Sequence, residues 1–169
     1  MDLDDLAVEY YHGSLVLAQK GLLGGLTVAG VAYLVATNGD SSASYLVPII
    51  GIEVTSFSYF TISLLILFIA CGVICSYGIN KALDNWRLIS DDSLASRLLQ
   101  VPSLFMLGII VDSLLYGFLV LVGVSLLEAV FGLYGWKSFV GGSIVTLPYF
   151  FAFRFSSDLR HLRKTRDKS

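Results

Sequence analysis

Four long apolar runs follow one another along the chain, separated by short polar segments. They cover residues 15–37, 56–79, 103–127 and 136–155. About 20 apolar residues in a helix cross a hydrocarbon layer about 30 Å thick. The pattern therefore predicts an all-α integral membrane protein: one domain of four transmembrane helices joined by short loops. Pro148 predicts a kink in the fourth helix, and the apolar segment 45–52, too short to span, is expected at the outer interface or over the helix ends.

The overall composition supports lipid as the main solvent. Hydrophobic residues make up 56% of the chain and charged residues 14%, against about 25% charged residues in an average soluble domain. So few polar residues do not cover a water-soluble globule, and a chain this apolar is not intrinsically disordered. Cys71 and Cys75 both lie inside the second run, which is not the pattern of a secreted disulfide framework.

The positive charges indicate an orientation. Ten of the eleven Lys and Arg residues fall on one side of the four predicted spans, and only Lys137 falls on the other. Cytoplasmic loops carry the excess of positive charge, so both termini are expected in the cytoplasm, and an even number of spans agrees with this. We expect a bacterial inner (plasma) membrane protein with a basic cytoplasmic tail at residues 156–169.

Asp112 is the acidic residue that lies well inside a predicted span. Counted from Pro102, it falls near the middle of the hydrocarbon layer, where a carboxylate must be paired, hydrated or protonated. The predicted spans bring no Lys or Arg to that depth, and Thr27 and Thr146 fall at a similar depth. These three residues form a predicted intramembrane polar site. Asp112 is then either a proton or cation site, a lock between subunits, or a neutral carboxyl satisfied within the bundle.

Small residues at four-residue spacing form stripes on three of the predicted spans. Such stripes let helix backbones approach closely, either between subunits of a homo-oligomer or within one bundle. The predicted helix-packing positions are Gly21, Gly25, Ala29, Ser113, Gly117, Ser138 and Gly142.

The end of the chain is basic and forms a predicted binding surface for lipid or a partner. Its members are Arg154, Arg160, Arg163, Lys164 and Arg166. Such a cluster attracts anionic membrane lipid, and it could equally dock an acidic cytoplasmic protein or pair with the acidic N-terminus. The net charge of −2 gives no indication of a nucleic-acid partner.

Catalytic and metal-site patterns are absent from the sequence. It contains no HExxH or GxSxG motif, and two histidines at opposite ends of the chain do not form a metal site with the two cysteines. We therefore expect no metal, no cofactor and no enzymatic activity. The expected function is a non-enzymatic membrane subunit that oligomerises and couples to a cytoplasmic partner, such as a transmembrane sensor or scaffold of a bacterial defence or immunity system. The alternative is a small ion or proton channel with Asp112 on the path.

Overall fold

The protein is mostly helical, as the apolar runs predict. The computed structural model describes residues 3–38, 44–54, 56–89, 91, 94, 98, 103–106 and 108–166. Over this part of the chain the elements are the helices α1 (Leu3–Asn38), α2 (Phe57–Arg87), α3 (Ile109–Phe131), α4 (Trp136–Val145) and α5 (Leu147–Arg166), the strands β1 (Tyr45–Val47) and β2 (Ile52–Val54), and a short 3₁₀ turn at Leu104–Met106. The all-α class is confirmed.

Three of the helices are long and apolar enough to cross a membrane on their own: α1, α2 and α3. Helices α4 and α5 meet that requirement only together, and they are bent by 53° at a break between them. The break falls at Thr146, just before Pro148. The described residues thus hold three candidate spans, or four if the bent pair is one span.

Helix α3 begins later than the third apolar run suggests. Residues 104–106 form the 3₁₀ turn, and Gly108 has φ 120°, a backbone conformation that only glycine adopts readily. The amide of Asp112 then donates to the Gly108 carbonyl oxygen over 3.1 Å and closes the first helical turn. The hydropathy pattern does not reveal the break before α3, because the residues around Gly108 are themselves apolar.

Helices α1 and α2 form an antiparallel pair at the centre of the molecule, held close by glycines. A Cβ added at Gly21 would lie 2.7 Å from the backbone nitrogen of Cys75, and one added at Gly78 would lie 2.7 Å from that of Ala18. Real Cβ atoms do not come this close to backbone. The two glycines therefore allow the backbones to touch, as small residues do between membrane helices.

Hydrogen bonds bring the two ends of the described chain to the same end of the bundle. Asp4 at the start of α1 accepts a bond from the amide of Asp91, which follows α2. Ser14 accepts a bond from Asn85 near the end of α2, and Gln19, midway along α1, donates to Ser103 over 3.1 Å. Ser156 of α5 donates to the carbonyl of Phe105. The start of α1, the end of α2, the residues before α3 and the second half of α5 therefore lie together.

The segment after α1 forms a β-hairpin, which the sequence did not predict. Strands β1 and β2 pair antiparallel, with Tyr45 opposite Val54. The Tyr45 ring stacks on Phe60 with centroids 4.8 Å apart, and at the turn Ile49 lies beside Gly24 of α1. The hairpin thus packs along the side of α1 and α2. Pro48 and Gly51 within the segment hide the alternation that marks a strand.

Candidate functional site: an ion-paired cleft between α3 and α5

The main polar feature of the bundle is an ion pair between Asp112 and Arg160. Asp112 lies in the first turn of α3, and Arg160 lies in the second half of α5. Arg160 donates from Nη2 to Asp112 Oδ2 over 2.5 Å. The Asp112 side chain is 6% exposed and that of Arg160 18%. Most of the pair is therefore buried. A charged hydrogen bond in a buried position is stronger than one at the surface.

Asp112 lies at the end of a helix and not at its middle, which differs from the sequence expectation. From Asp112 to Phe131, the last residue of α3, the helix rises about 28 Å. That length matches the hydrocarbon layer, about 30 Å thick. Asp112 then marks one edge of the apolar stretch, and the reason is the late start of α3 at Ile109.

The partner of Asp112 also differs from the residues that the sequence suggested. The Thr27 hydroxyl donates to Leu23 O of its own helix, and the Thr146 hydroxyl donates to Gly142 O, each over 2.9 Å. The sequence places Arg160 in the tail beyond the fourth span, whereas its contact with Asp112 joins residues 48 positions apart. One signal could have found it: the sequence from 149 to 166 contains no Gly or Pro, so a helix can continue past the apolar run.

A cleft of about 230 Å³ opens beside the ion pair. Its lining combines charged, hydroxyl and aromatic groups: Ile109, Asp112, Ser113, Tyr116, Phe150, Phe153, Arg154, Ser157 and Arg160. Two atoms of the ion pair, Asp112 Oδ1 and Arg160 Nη1, are buried and have no hydrogen-bond partner among the described residues. Buried polar atoms are rarely left unpaired. The two residues of the ion pair therefore bring to the wall of the cleft one acceptor and one donor that no described residue satisfies, both almost fully covered.

The predicted small-residue positions divide into an inward and an outward set. Gly21 faces α2, Ala29 is fully buried, and Ser138 donates to Glu128 of α3 over 2.9 Å. A Cβ on Gly142 would lie 2.7 Å from the Val124 backbone nitrogen. In contrast, Ser113 and Gly117 of α3 are exposed, and a Cβ on Gly117 would meet nothing within 4 Å.

Gly25 belongs to the inward set through a contact that the sequence did not reveal. The ring of Tyr149, two residues after Leu147 opens α5, occupies the space that side chains at Gly25 and Gly72 would fill. Its hydroxyl donates to the carbonyl of Phe68 over 2.8 Å. Tyr149 is fully buried and so connects the bent α4–α5 pair to both central helices.

The basic end of the chain is only partly described. Arg154 is exposed on α5, and Arg160 is held by Asp112. The helix continues to Arg166, while the side chains of Arg163, Lys164 and Arg166 lie outside the described part of the structure.

Metal-binding chemistry has no candidate centre in the described residues, where no three His, Cys, Asp or Glu side chains come together. Comparisons with protein families, with characterised proteins and with solved structures gave no match to the chain.

Proposed function

We propose that the protein is a non-enzymatic integral membrane subunit that oligomerises and couples to an acidic cytoplasmic partner through the basic end of α5. One observation carries the proposal: the Asp112–Arg160 ion pair joins α5 to the base of α3. Beyond this point the helix extends to Arg166. A partner bound to the end of the helix would thus act on an element that is packed into the bundle.

The surface of the bundle supports a membrane location. Large apolar side chains are exposed on every one of the long helices, among them Leu34, Ile66, Ile110, Leu114, Leu121, Phe139, Ile144 and Phe151. A soluble monomer rarely exposes large continuous apolar patches, whereas lipid is the natural neighbour of such a surface. We assign the chain to a bacterial inner membrane on this ground and on its charge pattern.

Contacts along α3 support the view that α4 and α5 together form a fourth, broken span. Ser138 of α4 bonds to Glu128 near the end of α3, and Arg160 of α5 bonds to Asp112 near its start. The bent pair therefore runs the whole length of a helix that is itself long enough to cross. A re-entrant loop would return to the side from which it started.

The same geometry supports a cytoplasmic location for both termini. The start of α1 and the second half of α5 lie at one end of the bundle. Ten of the eleven basic residues belong to the segments that the sequence predicts on this side. Excess positive charge is typical of cytoplasmic segments. A sensor or scaffold of a defence or immunity system fits this layout, since the docking surface and the membrane domain are joined by a single helix.

The channel alternative loses its main argument. It required an acid near the middle of the hydrocarbon layer, whereas Asp112 lies in the first turn of α3 and is paired with Arg160. Coupling through the basic helix end is the function that the geometry supports better.

The proposal is tested by charge reversal at the helix end, with Arg163, Lys164 and Arg166 each changed to Glu. Arg160 stays in place so that the ion pair with Asp112 is retained. We expect native mass spectrometry of the gently solubilised protein from its own host to show a soluble partner that the variant loses, with the subunit number unchanged. Arg87→Glu, an exposed charge at the same end of the bundle, is the matched control. Equal recovery of the partner with the triple variant would contradict the proposal.

A further inference from the structure

We infer that the cleft between α3 and α5 binds the phosphate headgroup of one anionic phospholipid, of the phosphatidylglycerol type. The inference rests on the membrane location proposed above but not on the cytoplasmic partner. It concerns a defined site, formed by Asp112, Arg154 and Arg160, and not a general attraction of the basic tail to the membrane.

The charges of the cleft favour an anion. Two guanidinium groups and one carboxylate line it, so that one positive charge is in excess. Arg154 makes no hydrogen bond or ion pair with any other described residue, and Arg160 Nη1 is buried without an acceptor. Arginine binds phosphate through such paired donors. A phosphodiester placed between the two arginines would pair with Arg154, and a small rotation of the Arg160 guanidinium would turn the buried Nη1 toward it while Nη2 stays on Asp112.

The remaining unpaired atom restricts which lipid headgroups fit the cleft. Asp112 Oδ1 is buried and has no donor, so the headgroup needs a hydrogen-bond donor close to its phosphate. The hydroxyls of a glycerol headgroup supply that donor without adding a positive charge to a cleft that already carries one. Phosphatidylglycerol therefore fits both free atoms, whereas phosphatidylcholine offers no donor.

The surroundings of the cleft suit the acyl chains. Asp112 marks the edge of the apolar stretch of α3, which is the level of lipid headgroups. Ser113, the next residue, lines the cleft, and Gly117 lies one turn further along the same face as Ser113; both are exposed, and the space beside Gly117 is open. Residues four apart share a face of a helix. An acyl chain can therefore lie against this small-residue face while Phe150 forms an apolar side of the cleft.

Native mass spectrometry of the full-length protein, titrated with phosphatidylglycerol or phosphatidylcholine of identical acyl chains, tests the inference. We expect one phosphatidylglycerol per subunit, bound at least about fivefold more tightly than phosphatidylcholine, the effect of about one charge near a membrane surface. Arg154→Gln should lose about fivefold in affinity, and Arg87→Gln, an exposed arginine outside the cleft, should lose nothing. Equal affinity for the two lipids, or equal losses in the two variants, would overturn the site.

Further variants separate binding from folding. Arg160→Gln alone leaves Asp112 without its partner and can unfold the protein. The double variant Asp112→Asn, Arg160→Gln keeps two polar groups side by side, and we expect it to fold and to lose the lipid preference. Gly117→Leu should weaken lipid binding by blocking the acyl chain, whereas Gly30→Leu, which is equally open on α1, should not. A folded double variant that keeps the preference would refute the assignment.

Two controls define the source of the phosphate and the link to the proposed function. Inorganic phosphate at the lipid concentration should not displace phosphatidylglycerol, and displacement would instead assign the cleft to a free anion. The Glu variants at 163, 164 and 166 should keep lipid binding. Both proposals together predict that these variants lose the partner and keep the lipid. A variant that keeps both contradicts the proposed function alone, and a variant that loses the lipid contradicts the lipid site.

Discussion

At the scale of single residues, Tyr149 is the side chain that connects α5 to both α1 and α2. Its ring lies against Phe68 with centroids 5.1 Å apart, and its hydroxyl donates to the Phe68 carbonyl. Gly25 and Gly72 provide the space for the ring, since a Cβ on Gly72 would lie 2.8 Å from Tyr149 Cε2. The glycines of α1 and α2 are therefore needed for this tyrosine as well as for the contact between the two backbones.

We expect Gly25→Ala to destabilise the protein, because the added Cβ overlaps the Tyr149 hydroxyl. Overpacking of this kind costs about 1–3 kcal/mol. In the Tyr149→Phe background the overlapping oxygen is absent, so the same substitution should cost less. Thermal unfolding of the two single variants and the double variant measures this coupling.

Gly30→Ala is the matched control for the comparison of these three variants, because Gly30 lies on the same helix as Gly25 and faces open space. It should be neutral or stabilising by up to about 1 kcal/mol, the gain in helix propensity. Additive effects of Gly25→Ala and Tyr149→Phe would show that the two side chains do not compete for the same space.

Removing one residue of the Asp112–Arg160 ion pair should destabilise the protein more than replacing both residues. Asp112→Leu leaves Arg160 unpaired in a site where its side chain is only 18% exposed, and such a loss costs about 3 kcal/mol. Replacing both residues by Leu removes both charges, and should be closer to neutral. Thermal unfolding of the three proteins checks this order. A double variant that is less stable than Asp112→Leu alone would contradict it.

At the scale of elements, hydropathy predicts that helices exist but not where they end. The apolar runs mark α1, α2 and α3 correctly because a membrane helix is apolar on most of its faces. Gly108, with φ 120°, sets the start of α3 but has apolar neighbours, so the apolar run begins several residues before the helix does. The position of Asp112, and with it the nature of the candidate site, follows from that single boundary.

The hairpin and Arg160 were missed for different physical reasons. Pro48 and Gly51 are typical turn residues, but the two isoleucines between them are not, and Ile49 has φ 74°, a conformation rare for a β-branched residue. The turn therefore resembles part of an apolar run. Arg160 lies five residues beyond the last apolar run, and its contact with Asp112 depends on the tertiary bend between α4 and α5.

The hairpin leads to a prediction about depth. Ile49 at its turn lies beside Gly24, in the middle of α1, so we expect the turn to enter the hydrocarbon layer. A thiol introduced by Ile50→Cys should then resist a membrane-impermeant maleimide in proteoliposomes, although Ile50 is 55% exposed. Ser58→Cys, at the exposed start of α2, should react. Both should react after denaturation in detergent.

Cys71 and Cys75 give little background in that experiment because both are buried. The wild-type protein measures the remainder. Rapid labelling of Ile50→Cys, at the rate of Ser58→Cys, would place the hairpin in water and contradict the prediction.

At the scale of the whole molecule, the path of the bent α4–α5 pair decides the topology. The pair touches α3 near both of its ends, through Glu128 and through Asp112. Since α3 has 23 residues and rises about 34 Å, a chain segment that follows it from end to end also crosses the layer. If the bent pair is one span, the number of crossings is even, and the proposed topology has both termini on one side.

We therefore expect short tags at the two termini to be protected or exposed together in sealed vesicles, while a thiol from Gly132→Cys reports the opposite side. Gly132 suits this purpose because it is exposed in the loop between α3 and α4. It has φ 62°, so Tyr134→Cys, at a second exposed position in the loop where φ is not positive, serves as a control for strain. Termini found on opposite sides would mean three crossings. In that case the α4–α5 pair would be re-entrant, and the basic end of α5 would not share a compartment with the start of α1.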